Sequence, residues 1–190
     1  MIDASSLFLH VLAATGLVGG GIVQVLAGTR VRTARTGREL ASWAGFARQA
    51  GLLIAGSAVL SLLTGGHLAG AVWTTDARSG FSYPFITLGV IGLVLLAPAG
   101  PMLGGPRLRR LVAEGNEIGD AGLPAALRAE AGAPSLWGPV HSLLGLGIGM
   151  VALMTYKPGW FTGAVVLLVT FALGWVGGAV VARTPPMPEA

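Results

Sequence analysis

Three histidines are the side chains of this chain best suited to hold a metal or a cofactor. The sequence contains no cysteine, which excludes disulfides, thiolate metal sites, iron–sulfur clusters and covalently attached c-type haem. His10 lies early in the first long apolar run, and His67 lies near the end of the second. Two imidazoles from neighbouring helices can supply axial ligands to a b-type haem, or part of a copper site. We therefore predict that His10 and His67 bind haem b or copper.

The surroundings of these histidines leave a purely structural role open as the alternative. A histidine at the depth of the membrane interface can be hydrated or can bond to a backbone carbonyl. Arg78 and Lys157 are predicted on the same side as His10 and His67, where they would contact haem propionates or other anions. His141 is predicted at the opposite side, as a helix-packing or interfacial residue.

The acidic residues all lie outside the apolar runs: Asp3, Glu39, Asp76, Glu114, Glu117, Asp120, Glu130 and Glu189. Carboxylates inside the membrane are the usual mark of coupled transporters, so a proton-coupled pump is disfavoured. Neither His-Glu-x-x-His nor Gly-x-Ser-x-Gly occurs in the sequence. We predict that the protein has no catalytic residues and no enzymatic activity of its own.

The elements that must position the histidines are membrane-spanning helices. Of the 190 residues, 53% are hydrophobic and only 11% are charged, and the mean hydropathy is +0.75. A soluble domain carries about 25% charged residues. Five segments are apolar and about long enough to span a bilayer, at residues 7–27, 50–72, 85–102, 139–156 and 161–181. The predicted fold class is an all-α polytopic membrane protein, a single glycine-rich bundle of five transmembrane helices.

Prolines mark several predicted helix ends. Pro84 suits the first turn of the third helix, where its missing N–H is not needed, whereas Pro98 and Pro101 are expected to kink or end that helix. Pro139 is expected to open the fourth helix. The fourth and fifth helices are predicted to be antiparallel neighbours joined by a tight turn at residues 157–159.

The basic residues predict the orientation, because short cytoplasmic loops retain Lys and Arg. With five spans, ten basic residues share one side of the membrane: Arg30, Arg32, Arg35, Arg38, Arg48, Arg107, Arg109, Arg110, Arg128 and Arg183. Only Arg78 and Lys157 lie on the other side. This asymmetry predicts an outside N-terminus and a cytoplasmic C-terminus in a bacterial cytoplasmic membrane.

The cytoplasmic loop at residues 104–135 mixes basic and apolar residues and is predicted to form one or two short helices lying on the inner leaflet. A protein-docking role for this loop is an alternative to a simple charged connector. Its basic residues lack interleaved aromatic residues, so we expect no nucleic-acid partner.

Glycine pairs four residues apart occur within the spans: Gly16 and Gly20, Gly66 and Gly70, Gly145 and Gly149, and Gly174 and Gly178. Such pairs let helices approach closely in lipid, within one bundle or in a homo-oligomer. A glycine beside a histidine also offers the flat helix surface that a porphyrin needs. The polar residues within the spans, such as Thr15, Ser61 and Thr155, are expected to bond to helix backbone or across helices.

Four short segments carry a family resemblance: residues 9–13 (Leu-His-Val-Leu-Ala), 62–65 (Leu-Leu-Thr-Gly), 105–109 (Gly-Pro-Arg-Leu-Arg) and 154–158 (Met-Thr-Tyr-Lys-Pro). In these the chain resembles a family of predicted bacterial integral membrane proteins, domain of unknown function 2269. The first helix also looks like the membrane domain of the copper-resistance D type. The second resemblance implies copper handling or redox chemistry at the cell envelope.

The sequence therefore leaves three functions to compare. The first is a haem b or copper protein that uses His10 and His67. The second is a non-catalytic scaffold or accessory subunit that contacts a partner membrane protein. The third is a passive small-solute permease.

Overall fold

The computed structural model describes residues 2–183, and these form an all-α bundle. The helices are α1 (Ile2–Thr33), α2 (Gly37–Ala71), a short 3₁₀ turn (Gly80–Ser82), α3 (Pro84–Ala99), α4 (Gly105–Ile118), α5 (Ala125–Ala131), α6 (Pro134–Tyr156) and α7 (Trp160–Arg183). Five helical stretches are long and apolar enough to cross a membrane: α1, α2, α3 with α4, α5 with α6, and α7. The predicted fold class is confirmed, and the chain is a multi-pass membrane protein.

The helices run beyond the predicted spans at the arginine-rich end, by which we mean the end that carries Arg30, Arg38 and Arg107. Helix α2 begins at Gly37, thirteen residues before the predicted span, which adds about 20 Å of helix. Its start is fixed by Thr36, whose hydroxyl accepts a hydrogen bond from the N–H of Glu39 at 3.3 Å. The apolar run therefore marks the part of the helix in lipid, whereas the cap marks where the helix begins.

Pro98 and Pro139 have different effects on the helices that contain them. Pro98 lies in the last turn of α3 and is followed by a π-helical turn (Gly100–Gly104), after which the chain continues as α4. The expected kink is thus a local widening of one long helix. Such a widening is favoured near proline, because proline has no N–H to donate to the helix. The expectation for Pro139 was wrong, because α6 begins at Pro134 and Pro139 lies buried inside it. Pro134 already supplies the favourable first-turn proline.

A compact apolar cluster fills the arginine-rich end. Leu108 and Leu111 of α4 are 1% and 0% exposed, and they pack with Leu40 of α2 and with Leu127 of α5. Two short helices are present in the loop, as predicted, but their leucines face the protein. Burial within the chain therefore uses the apolar face of these helices, and their position on the inner leaflet stays a prediction.

Glycine contacts join the helices in pairs. On α6, Gly145 lies against the backbone of Thr170 and Gly174, and Gly178 of α7 lies against the carbonyl of Trp137. Helices α6 and α7 are antiparallel neighbours joined through residues 157–159, as predicted. Gly16 on α1 similarly approaches Ser57 of α2. Three of the four glycine pairs are thus used inside the bundle, whereas self-association of the chain stays a prediction.

Candidate functional site

The imidazole of His10 is held in one orientation by α2. Its Nδ1 lies 3.2 Å from the carbonyl oxygen of Ser61 and 3.2 Å from the hydroxyl of Thr64. That hydroxyl already donates its proton to the carbonyl of Leu60, at 2.7 Å, so it accepts from the imidazole. Both neighbours are acceptors, and Nδ1 of the neutral ring must therefore carry the proton. The lone pair of Nε2 is left available to a ligand.

The ring rests on Gly65. A Cβ at Gly65 would lie 2.9 Å from Cε1 and 3.3 Å from Nδ1 of His10, so any side chain at Gly65 would displace the imidazole. Gly65 precedes His67 by two residues in the sequence, but in the structure it contacts His10, the other predicted ligand.

The half-buried His10 lines a cavity of about 620 Å³, which we call the outer cavity after the side of the membrane that the sequence predicts for it. Helices α1, α3 and α6 supply most of its wall, and the apolar residues include Leu17, Leu93 and Met150. A second space of about 280 Å³ shares His10, Ser61 and Leu93 with it and extends toward Trp73 and Lys157. Cofactor and small-molecule sites have volumes of roughly 300–1,000 Å³ and mostly apolar walls with a few polar groups. The outer cavity has both properties.

Two methionines of this wall were not singled out by the sequence, and Ser61 does not bond as expected. Ser61 is 3% exposed, and its hydroxyl has no hydrogen-bond partner among residues 2–183. Met150 and Met154 line the cavity from α6. Their four-residue spacing, which places both on one helix face, was the available signal. Ser61, beside His10, is thus an exception to the expected bonding of polar residues.

His67 lies elsewhere. Its Nε2 is 3.1 Å from a carboxylate oxygen of Asp3, near the start of α1, and the two side chains are 41% and 62% exposed. Asp3 precedes His10 by seven residues, which is about 10 Å along a helix. The structure therefore gives the two predicted ligands different partners, and it places only His10 on the wall of the outer cavity.

Arg78 and Lys157, the two residues predicted to contact anions, lie at different sites. Arg78 donates hydrogen bonds to Ser82 and lies 4.0 Å from the centre of the Tyr83 ring. Its guanidinium therefore binds within its own loop. Lys157 lies 4.9 Å from the centre of the Trp73 ring and lines the smaller space with His10. Of the two cations, Lys157 is the one that shares a space with His10.

His141 is held at the arginine-rich half of α6. Its Nδ1 donates to the carbonyl of Trp137 at 2.9 Å, and its Cβ packs against Gly178. No hydrogen bond reaches its buried Nε2 from the described part of the chain. His141 thus occupies the packing position expected for it.

Residues 2–183 hold no group of three or more His, Cys, Asp or Glu placed to bind one metal ion. A metal at His10 would therefore need at least some ligands of another kind, such as thioethers or a macrocycle.

No family model, curated protein or solved structure matches this chain. The resemblances drawn from its short segments stay predictions.

Proposed function

We propose that this protein binds haem b in the outer cavity, with His10 as the iron ligand, as a redox component of a bacterial cytoplasmic membrane. The observation that carries the proposal is the imidazole of His10, whose Nδ1 is bonded to the carbonyl of Ser61 and which lines an apolar cavity of about 620 Å³. A carbonyl that accepts a hydrogen bond from one imidazole nitrogen fixes the tautomer of the ring. It also makes the other nitrogen a stronger metal ligand. His67, paired with Asp3, is not needed in this assignment.

The shape of the cavity favours a flat, lipid-soluble group. Gly19 and Gly147 line it, and no atom lies within 4 Å of where either Cβ would be. Val11 and Val151 line the cavity and are also 56% and 44% exposed, so the cavity opens toward lipid. A porphyrin can enter by this route, and Lys157 would bind its propionates. When bound, haem iron would supply one-electron transfer, and His10 would hold it.

The proposed orientation places His10 and the outer cavity at the outer face. Ten of the twelve basic residues lie at or beyond the other end of the spans, and short cytoplasmic loops retain such residues. The N-terminus is therefore outside in this proposal. No catalytic role is assigned to any residue.

Copper(I) is the second candidate, favoured by Met150 and Met154 on the same wall as His10. Thioethers and imidazole are ligands that soft Cu(I) accepts. This set replaces the His10 and His67 pair expected from the sequence.

The test is a visible spectrum of the purified protein, oxidised and dithionite-reduced, with metal analysis of the same sample. We expect a Soret band that shifts on reduction, is lost in His10→Ala and is kept in the matched control His67→Ala. Stoichiometric copper without a Soret band, lost in Met150→Leu/Met154→Leu, would replace haem by copper. A flat spectrum without metal, from cells supplied with both, would refute both and leave the scaffold and permease functions.

A further inference from the structure

A groove separate from the outer cavity lies between α1 and α2 at the arginine-rich end. It has a volume of about 540 Å³, and its lining includes Val23, Leu26 and Arg30 of α1 and Trp43 and Phe46 of α2. We propose that this groove binds one anionic phospholipid, with an acyl chain along its apolar part and the phosphate on Arg30. The proposal does not depend on a cofactor in the outer cavity.

The groove is graded in polarity along the helix axis. Its apolar part, with Val23 and Leu26, lies within the predicted first span, and Arg30 follows it by one helical turn. Leu26 and Phe46 are 60% and 45% exposed, so this wall faces lipid. A phospholipid has the same order of chemistry, with acyl carbons beside its phosphate. A soluble anion would leave the apolar part of the groove uncovered.

The cation of the groove has no anionic partner among residues 2–183. No ion pair to Arg30 forms within residues 2–183, and its guanidinium lies 6.0 Å from the centre of the Trp43 ring. The hydroxyls of Thr29 and Thr33 donate to carbonyls of their own helix, which leaves Arg30 to bind a phosphate. Tryptophan is enriched at the depth of lipid headgroups, and basic pockets between transmembrane helices bind anionic headgroups.

The positive charge of Arg30 at the arginine-rich end favours an anionic lipid over a zwitterionic one. A choline headgroup would bring a second cation beside Arg30, whereas phosphatidylglycerol brings only the phosphate charge. Each Lys or Arg near an anionic membrane surface contributes about 1 kcal/mol, which is about a fivefold change in binding.

The test measures phospholipid binding to the whole protein by native mass spectrometry from detergent, using phosphatidylglycerol and phosphatidylcholine with identical acyl chains. We expect wild type to prefer phosphatidylglycerol about fivefold, and Arg30→Gln to lose that preference. Arg48→Gln is the matched control, because it removes the same charge from α2 outside the groove and should keep the preference.

Two further measurements test the apolar part of the groove and the phosphate site separately. Val23→Phe fills the groove and should weaken both lipids, whereas free glycerol phosphate, which has no acyl chain, should not compete. Equal binding of the two lipids by wild type, or an equal loss in Arg30→Gln and Arg48→Gln, would overturn the proposal. Competition by glycerol phosphate at the affinity of the lipid would overturn it in favour of a soluble anion.

Discussion

The attachment of α7 to the bundle depends on Gly145, and the substitution Gly145→Ala tests this. A Cβ at Gly145 would overlap the carbonyl oxygen of Thr170 and lie 3.0 Å from its carbonyl carbon and 3.4 Å from the Cα of Gly174. These atoms are backbone, so a change of side-chain rotamer cannot relieve the overlap. Helix α7 would have to move away as a whole.

The magnitude follows from a comparison with Gly177 on α7, the partner helix of this interface. No atom lies within 4 Å of where a Cβ on Gly177 would be. Replacing glycine by alanine inside a helix ordinarily stabilises by about 0.5–1 kcal/mol, and both variants gain this amount. Only Gly145→Ala also incurs overpacking, which costs about 1–3 kcal/mol. The free energies of unfolding of the two variants should therefore differ by about 1–3 kcal/mol.

The assay is reversible unfolding in mixed micelles with increasing dodecyl sulfate, followed by helical circular dichroism. Gly177→Ala should be at least as stable as wild type, and Gly145→Ala should be the less stable variant. If the two variants unfold at the same detergent fraction, close packing of α6 and α7 through glycine is not what holds α7.

Two other predictions concern the outer cavity and the arginine-rich end. Gly147→Leu should fill the cavity and remove the Soret band expected of the wild type, without lowering stability, since its Cβ has open space. The control Gly177→Leu lies outside the cavity and should keep the band. An unchanged spectrum in both variants would exclude this cavity as the haem site. Arg38, bonded to Asp120 at 2.6 and 2.8 Å, holds the pKa of that carboxyl below its ordinary value of 3.8. A depressed carboxyl pKa stabilises the fold above that ordinary value, so Asp120→Asn should destabilise slightly at neutral pH. Its effect should shrink progressively as the pH falls below 3.8. Unfolding measured from pH 3 to 7 checks this, and a loss independent of pH would contradict it.

Hydropathy and proline position predicted much of the fold, because both act locally. Five apolar segments were enough to predict five crossing helices, and the break at residues 157–159 predicted the hairpin of α6 and α7. Pro139 was misplaced because Pro134, outside the apolar segment, already satisfies the first turn. Where a helix starts is decided by its cap, and hydropathy does not detect a cap.

The candidate site was harder to predict because it depends on which helix faces which. His10 and His67 are equivalent in sequence, each lying near the end of an apolar run. Only the pairing of α1 with α2 decides that His10 meets Ser61 while His67 meets Asp3. Met150 and Met154 join His10 only because α6 packs beside α1. No periodicity within one segment contains that information.

The two halves of the bundle are packed differently, and this difference locates the proposed function. At the arginine-rich half, Leu136, Trp137 and Leu143 of α6 are 4% exposed or less. At the other end of the bundle the buried apolar cluster is smaller and consists of Ala69, Phe85 and Ile86, and Met154 of α6 is 37% exposed and lines the outer cavity. A closely packed half can hold α1 and α6 at a fixed separation, which keeps the space beside His10 open without any residue crossing it. A lipid-soluble ligand can then reach Nε2 sideways from the membrane, past Val11 and Val151, while the bundle stays folded.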